Sequence, residues 1–187
     1  MHSRTKLNML LALAVLLTFG LACSGGDETE KANKLVAEGN AAIQDGNKLA
    51  TDAGAKNDKL FDELSPNNFD ADKERLSPQA KEVVDGLGKA ADKYREASKK
   101  FDEASKFKLN DKFKEYLTLK SQEFSKRAEQ MDAGKGNAQA VLDSSDAASL
   151  SAKVRDNKTK IEKLDQESKD LETKAAKIQA ENKDKIQ

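Results

Sequence analysis

Few side chains in this 187-residue sequence could carry out covalent or metal chemistry. There is one cysteine, Cys23, one histidine, His2, and a large but dispersed set of carboxylates. No G-x-S-x-G nucleophile turn, phosphate loop or dinucleotide fingerprint occurs. Asn68, Asp70 and Asp72 imitate the start of a calcium loop. Lys73 stands where that loop needs glycine, and Gln79 where it needs a bidentate glutamate, so a solvated turn is expected there. Elsewhere carboxylates alternate with lysine at helix-surface spacing, as in Asp92, Lys93, Glu96 and Lys100, which describes a wet helix face. One cluster is chemically richer. Tyr94, Phe101, Phe107, Phe113, Tyr116 and Phe124 gather most of the aromatics, among Lys99, Lys100, Lys106, Lys108, Lys112 and Lys114. Such a mixture can grip anionic lipid, glycan or nucleic acid through ring faces and ammonium groups. Tyr94, Phe101, Phe113 and Phe124 nevertheless fall on apolar helical stripes, which favours rings packed inside a bundle with the lysines left wet. Phe107 lies off that register.

The elements that would position these residues begin at the N-terminus. Arg4 and Lys6 precede an apolar run from Met9 to Ala22, and Gly20-Leu21-Ala22-Cys23 closes it. The run is shorter than the ~20 residues of a bilayer span and has the layout of a secretion signal. The closing residues resemble the lipobox of bacterial lipoproteins, with Gly20 where that motif favours leucine. The resemblance covers about the first 23 residues. It implies a diacylglyceryl group on the Cys23 sulfur, cleavage between Ala22 and Cys23, and acylation of the new amine by a chain such as palmitate. Two or three acyl chains hold a protein at a membrane stably, whereas one does so marginally.

Three expectations follow from that reading. His2 leaves with the signal and Cys23 is consumed by lipid, so neither imidazole nor thiolate remains for nucleophilic catalysis or an ordinary zinc site. No cofactor, no metal and no enzymatic activity are expected. The protein should reside in the cell envelope. Neither Ser24 nor Gly25 is the aspartate that retains lipoproteins at the inner membrane of enteric bacteria, which favours the outer membrane facing the periplasm in a Gram-negative host.

Composition leaves two architectures open. Charged residues make up 35% of the chain and apolar ones 37%, a balance that raises disorder as an alternative. Periodicity answers it. Ala32, Gly39, Gly46, Ala53 and Leu60 lie seven apart, beside Val36, Ile43, Ala50 and Leu64. On that stripe Gly39 and Gly46 would admit a neighbouring helix closely, within the chain or from a partner. Ala80, Leu87, Tyr94 and Phe101 form a second row; Phe113, Leu117, Phe124, Met131, Ala138 and Val141 a third. The last segment has the cleanest heptads: Ala147, Val154, Ile161, Ser168 and Ala175, with Leu150, Leu164, Leu171 and Ile178, interrupted by Asn157 and Asn182.

The expected organisation is a signal over 1–22, a lipidated tether over 23–27 and an all-α domain over 28–187. That domain is an elongated antiparallel four-helix bundle with coiled-coil-like heptads, its helices near 28–64, 78–107, 111–143 and 146–186. Both Ser-Pro pairs, Ser65-Pro66 and Ser77-Pro78, mark a loop between the first two helices. Residues 108–111 read equally as a turn or a kink. The function expected is a membrane-anchored, non-enzymatic lipoprotein working through protein contacts as scaffold, spacer or accessory subunit. The alternative is a carrier holding an apolar or lipid-like ligand between helices. Partners expected are the membrane and a protein, with the last helix suited to a homo-oligomer; near-balanced charge gives no reason to expect nucleic acid.

Overall fold

Heptad-spaced small and apolar residues give each long segment one face to bury, and the chain folds back on itself to bury it. The computed structural model describes residues 27–186. The signal, Ala22, Cys23 and most of the tether lie outside the described residues. Four helices follow in order: α1 (Asp27–Asp62), α2 (Phe69–Ser105), α3 (Asp111–Asp143) and α4 (Ala147–Glu181), with a 3-10 turn over Pro66–Asn68. At 33 to 37 residues each, they are about 50–55 Å long. None of the described helices is long and apolar enough to cross a membrane.

The all-α antiparallel bundle is formed, and contacts fix its direction. The Lys108 amide, just past α2, meets Glu28 at the start of α1, and along the two helices Lys100 meets Glu38, Tyr94 meets Asn47 and Glu82 meets Lys56. Packing is serial: α1 lies on α2, α2 on α3 and α3 on α4, while α1 and α4 share no extended interface. The inner helices α2 and α3 therefore carry twelve buried residues each, against four on α4.

Two boundaries differ from the sequence expectation. The second helix begins at Phe69 rather than near residue 78, so most of the expected 65–77 loop, including the calcium-loop mimic, is helical. The reason is burial. Phe69, Asp72 and Leu76 are 6%, 8% and 3% exposed and extend the stripe of Ala80 and Val83 backwards. Asp72 accepts from the Ser65 amide at 3.0 Å and from Arg75 at 3.1 Å, which ties the α1–α2 connection to the new helix. Pro78 is exposed, as is Glu74, whose carbonyl loses its helical donor to the proline and can turn to water. The last helix ends at Glu181, short of residue 186, with Asn182 at its C-cap.

The other junctions follow their capping residues. Residues 108–111 form a turn, and Asn110 caps α3 by accepting from the Phe113 amide at 2.9 Å. Asp146 caps α4 through the Ser149 amide at 2.7 Å.

Candidate functional site

The aromatic residues come together, and they do so inside the bundle. Tyr94, Phe101 and Phe113 are at most 3% exposed and Tyr116 is 8% exposed. Phe124 of α3 stands between the α2 rings, its centroid 6.0 Å from Tyr94 and 5.9 Å from Phe101. Phe113 and Tyr116 form a second pair at 6.5 Å. These separations suit offset or tilted ring contact. Phe107, in the α2–α3 turn, is half-buried against the same core.

Burial sets the chemistry of both phenols. Loss of water pushes the Tyr94 hydroxyl up to about 12, opposed by Arg127. It pushes the Tyr116 hydroxyl to about 12 as well, reinforced by the Glu123 charge. Tyr94 donates to the Asn47 side-chain oxygen at 2.7 Å. Neither tyrosine is set up as an acid or a base at neutral pH.

Most of the surrounding lysines face carboxylates. Lys100 reaches Glu38 at 2.6 Å, Lys106 reaches Asp102 at 2.7 Å, Lys112 reaches Glu115 at 2.8 Å and Lys99 approaches Glu103 at 3.8 Å. Hydrogen bonds to those carboxylates raise Lys100, Lys106 and Lys112 above the usual ammonium range. A patch of rings and free cations open to an anionic ligand is not what this arrangement presents.

Sequence reasoning missed a buried charge. Glu123 of α3 is 1% exposed. Its carboxylate takes Lys120 at 2.7 Å and Arg127 at 3.0 Å, and Arg127 continues to Glu172 of α4 at 3.0 Å. The same cations cover Phe124, with the Lys120 Nζ 4.7 Å and the Arg127 Cζ 5.7 Å from its centroid. A cation on a ring face supplements the ion pair. The signal was present in the spacing: Lys120, Glu123 and Arg127 stand three and four apart, beside a phenylalanine on the apolar stripe.

The last helix gives the other candidate surface. Leu150, Leu164, Ser168 and Ala175 are buried, whereas Ala147, Val154, Asn157, Ile161, Leu171 and Ile178 are half-buried. One neighbour, α3, covers this stripe from one side only. Much of the remaining α3–α4 contact is polar: Lys126 to Glu167 at 3.0 Å, Arg127 to Glu172, and Gln130 near Asp165. Between Gly136, Gln139, Ala140, Asp143, Lys153 and Asn157 lies an open cleft of about 370 Å³ with both polar and apolar walls. Among the described residues no group of histidine, cysteine, aspartate and glutamate side chains is placed to hold a metal ion.

The lysines around the rings are largely paired with carboxylates, the rings are packed inside the bundle, and the α4 heptads are half-covered. Comparison of the chain with protein-family models, curated proteins and solved structures finds no match.

Proposed function

We propose that the protein is a membrane-anchored, non-enzymatic lipoprotein of the cell envelope, held through lipid on Cys23, which works through protein–protein contact as a scaffold, spacer or accessory subunit. The observation that carries this reading is the half-covered heptad stripe of α4. Val154, Ile161, Leu171 and Ile178 each keep part of their surface accessible along one helix. Apolar side chains at heptad spacing are what a partner helix buries. The partner favoured is a protein helix, including α4 of a second copy. Ligand carriage between helices has less support, because Tyr94, Phe101 and Phe124 stack on one another where an apolar ligand would need room. In a Gram-negative host the outer membrane, facing the periplasm, is the location this reading favours.

The test is crosslinking in the producing cell, followed by mass spectrometry of the joined peptides. Crosslinks from the lysines of α4 to another protein or to a second copy are the expected result. A protein recovered only as monomer, with lipid bound inside it, would sink the contact reading in favour of the carrier.

A further inference from the structure

The four helices are not held with equal strength, and the difference is concentrated on α4. The cores of α1, α2 and α3 merge into one apolar cluster. α4 adds only Leu150 and Ala175 to that cluster, with Ala147, Val154 and Ile178 half-buried against it; of its other two buried residues Ser168 is polar and Leu164 lies outside the cluster. No residue of α4 between Leu150 and Leu164 is buried, and the open cleft beside Gly136 occupies part of that interval. Apolar burial is the main source of helix docking strength, while partly exposed ion pairs add little and weaken in salt.

Both ends of α4 are tied. At the near end the turn through Ser144 receives Lys73 of α2, whose ammonium donates to the Ser144 carbonyl at 2.7 Å. At the far end Ile186 is 4% exposed and belongs to the main core. Asn110 donates to the Lys185 carbonyl at 2.7 Å beside it. A weakly packed helix between two fixed ends is a strap.

Opening the strap strands no charge. Glu123 takes both of its cations, Lys120 and Arg127, from its own helix, and Lys126 has Glu129 of α3 at 3.6 Å. Departure of α4 therefore breaks the Arg127–Glu172 and Lys126–Glu167 links while each of these α3 cations keeps a carboxylate on its own helix. The freed helix would also keep its own supports. Asp146 caps it from within the segment, and Lys158–Glu162, Lys163–Glu167, Asp165–Lys169 and Lys177–Glu181 are pairs four residues apart along it.

We propose that α4 is a latched arm, which swings as an intact helix about the Ser144–Asp146 turn when Ile186 and Asn110 release their hold, baring the whole heptad stripe to a partner helix. The inference rests on the contact reading for the value of that stripe, but not for its physical test.

Hydrogen–deuterium exchange on the full protein reads the arm directly. In Ile186→Ala, amides of α4 should exchange about tenfold or more faster, with those of α1, α2 and α3 unchanged. Asn110→Asp keeps a good cap for α3 but removes the donor to Lys185, and should act in the same direction. Equal acceleration in all four helices, joint acceleration of α3 and α4, or no change in either variant overturns the arm. Selective release of α4 in a protein that crosslinks to nothing would leave the arm standing and remove the contact function instead.

Discussion

The Tyr94 hydroxyl donates to the side-chain oxygen of Asn47 at 2.7 Å, joining α2 to α1 midway along their contact. The ring beneath it meets Phe124 of α3, so one side chain links three helices. In Tyr94→Phe the ring contact survives and the hydrogen bond does not. Asn47 is half-buried, so water can partly replace the lost donor. The expected loss is about 1 kcal/mol of stability, read as a lower urea midpoint at unchanged slope. An unchanged midpoint would mean that the bond contributes nothing.

Two glycines in similar sequence contexts should answer alanine with opposite signs. At Gly46 an added Cβ would stand 2.9 Å from a ring carbon of Tyr94, a ring pinned by Asn47 and Phe124. At Gly39 the nearest atoms, on Lys100 and Phe101, lie at 3.4 Å, ordinary contact. Alanine is worth roughly 1 kcal/mol over glycine within a helix. Gly39→Ala should therefore raise the thermal midpoint, and Gly46→Ala should lower it despite the same propensity gain. A stabilising Gly46→Ala would show that α1 and α2 can part without penalty.

These two glycines also show how far the sequence could be read. Their place on the seven-residue stripe was visible, and so was the close approach of another helix; that the helix is α2 was not. Asn110 and Asp146 are of the short polar type that caps a helix, but Asp111, Ser144 and Ser145 beside them are too, and only the structure selects between them. Pro78 misled because a proline after serine matches a helix start. The competing evidence, Phe69 and Leu76 in phase with Val83, depends on a burial that only the packed structure supplies. Glu123 was hidden for a related reason. In a chain so rich in alternating charge, a carboxylate between Lys120 and Arg127 looks like surface until α4 covers it. The interrupted α4 seam was legible, but the lack of an α1–α4 interface was not, since heptads specify a face and not how many neighbours share it.

Removing Glu123 should be costly out of proportion to its neighbours. Glu123→Ala leaves Lys120 and Arg127, each about one-fifth exposed, without their shared carboxylate. Breaking a fully buried pair costs about 3–5 kcal/mol, and these cations can partly reach water, so about 2 kcal/mol is expected. Glu167→Ala, on the half-buried Lys126 pair, whose groups reach water more freely, should change stability by well under half of that. Chemical denaturation of both variants makes the comparison. Equal effects would show that Glu123 is no more than another surface carboxylate.

The anchor can be tested apart from the bundle. Cys23→Ala should leave the helical content of the domain unchanged by circular dichroism while moving the protein from the membrane fraction to the soluble one, or leaving it unprocessed. A variant that fractionates with membranes as the parent does would show that lipid on Cys23 is not what holds the protein.

Alkaline pH should unfold the protein through its two tyrosines. Both phenols are raised in the folded state to about 12, by burial in each case, against about 10 in an unfolded chain. Below about pH 10 both states carry neutral phenols, and the full stability is present. Above it the unfolded chain ionises first, so stability falls until the folded phenols ionise near 12. Two units correspond to roughly 2–3 kcal/mol for each tyrosine. Lysines such as Lys100, raised by its hydrogen bond to Glu38, lose their partners over the same rise and act in the same direction. Tyr94 and Tyr116 are the only tyrosines and tryptophan is absent, so ultraviolet absorbance of tyrosinate reports these two groups alone. Tyrosinate should appear together with the loss of helical circular dichroism, between pH 10 and 12. Tyr116→Phe should make the loss of stability with pH shallower in that window. Phenols that titrate near pH 10 in a protein still helical would contradict the burial of both rings.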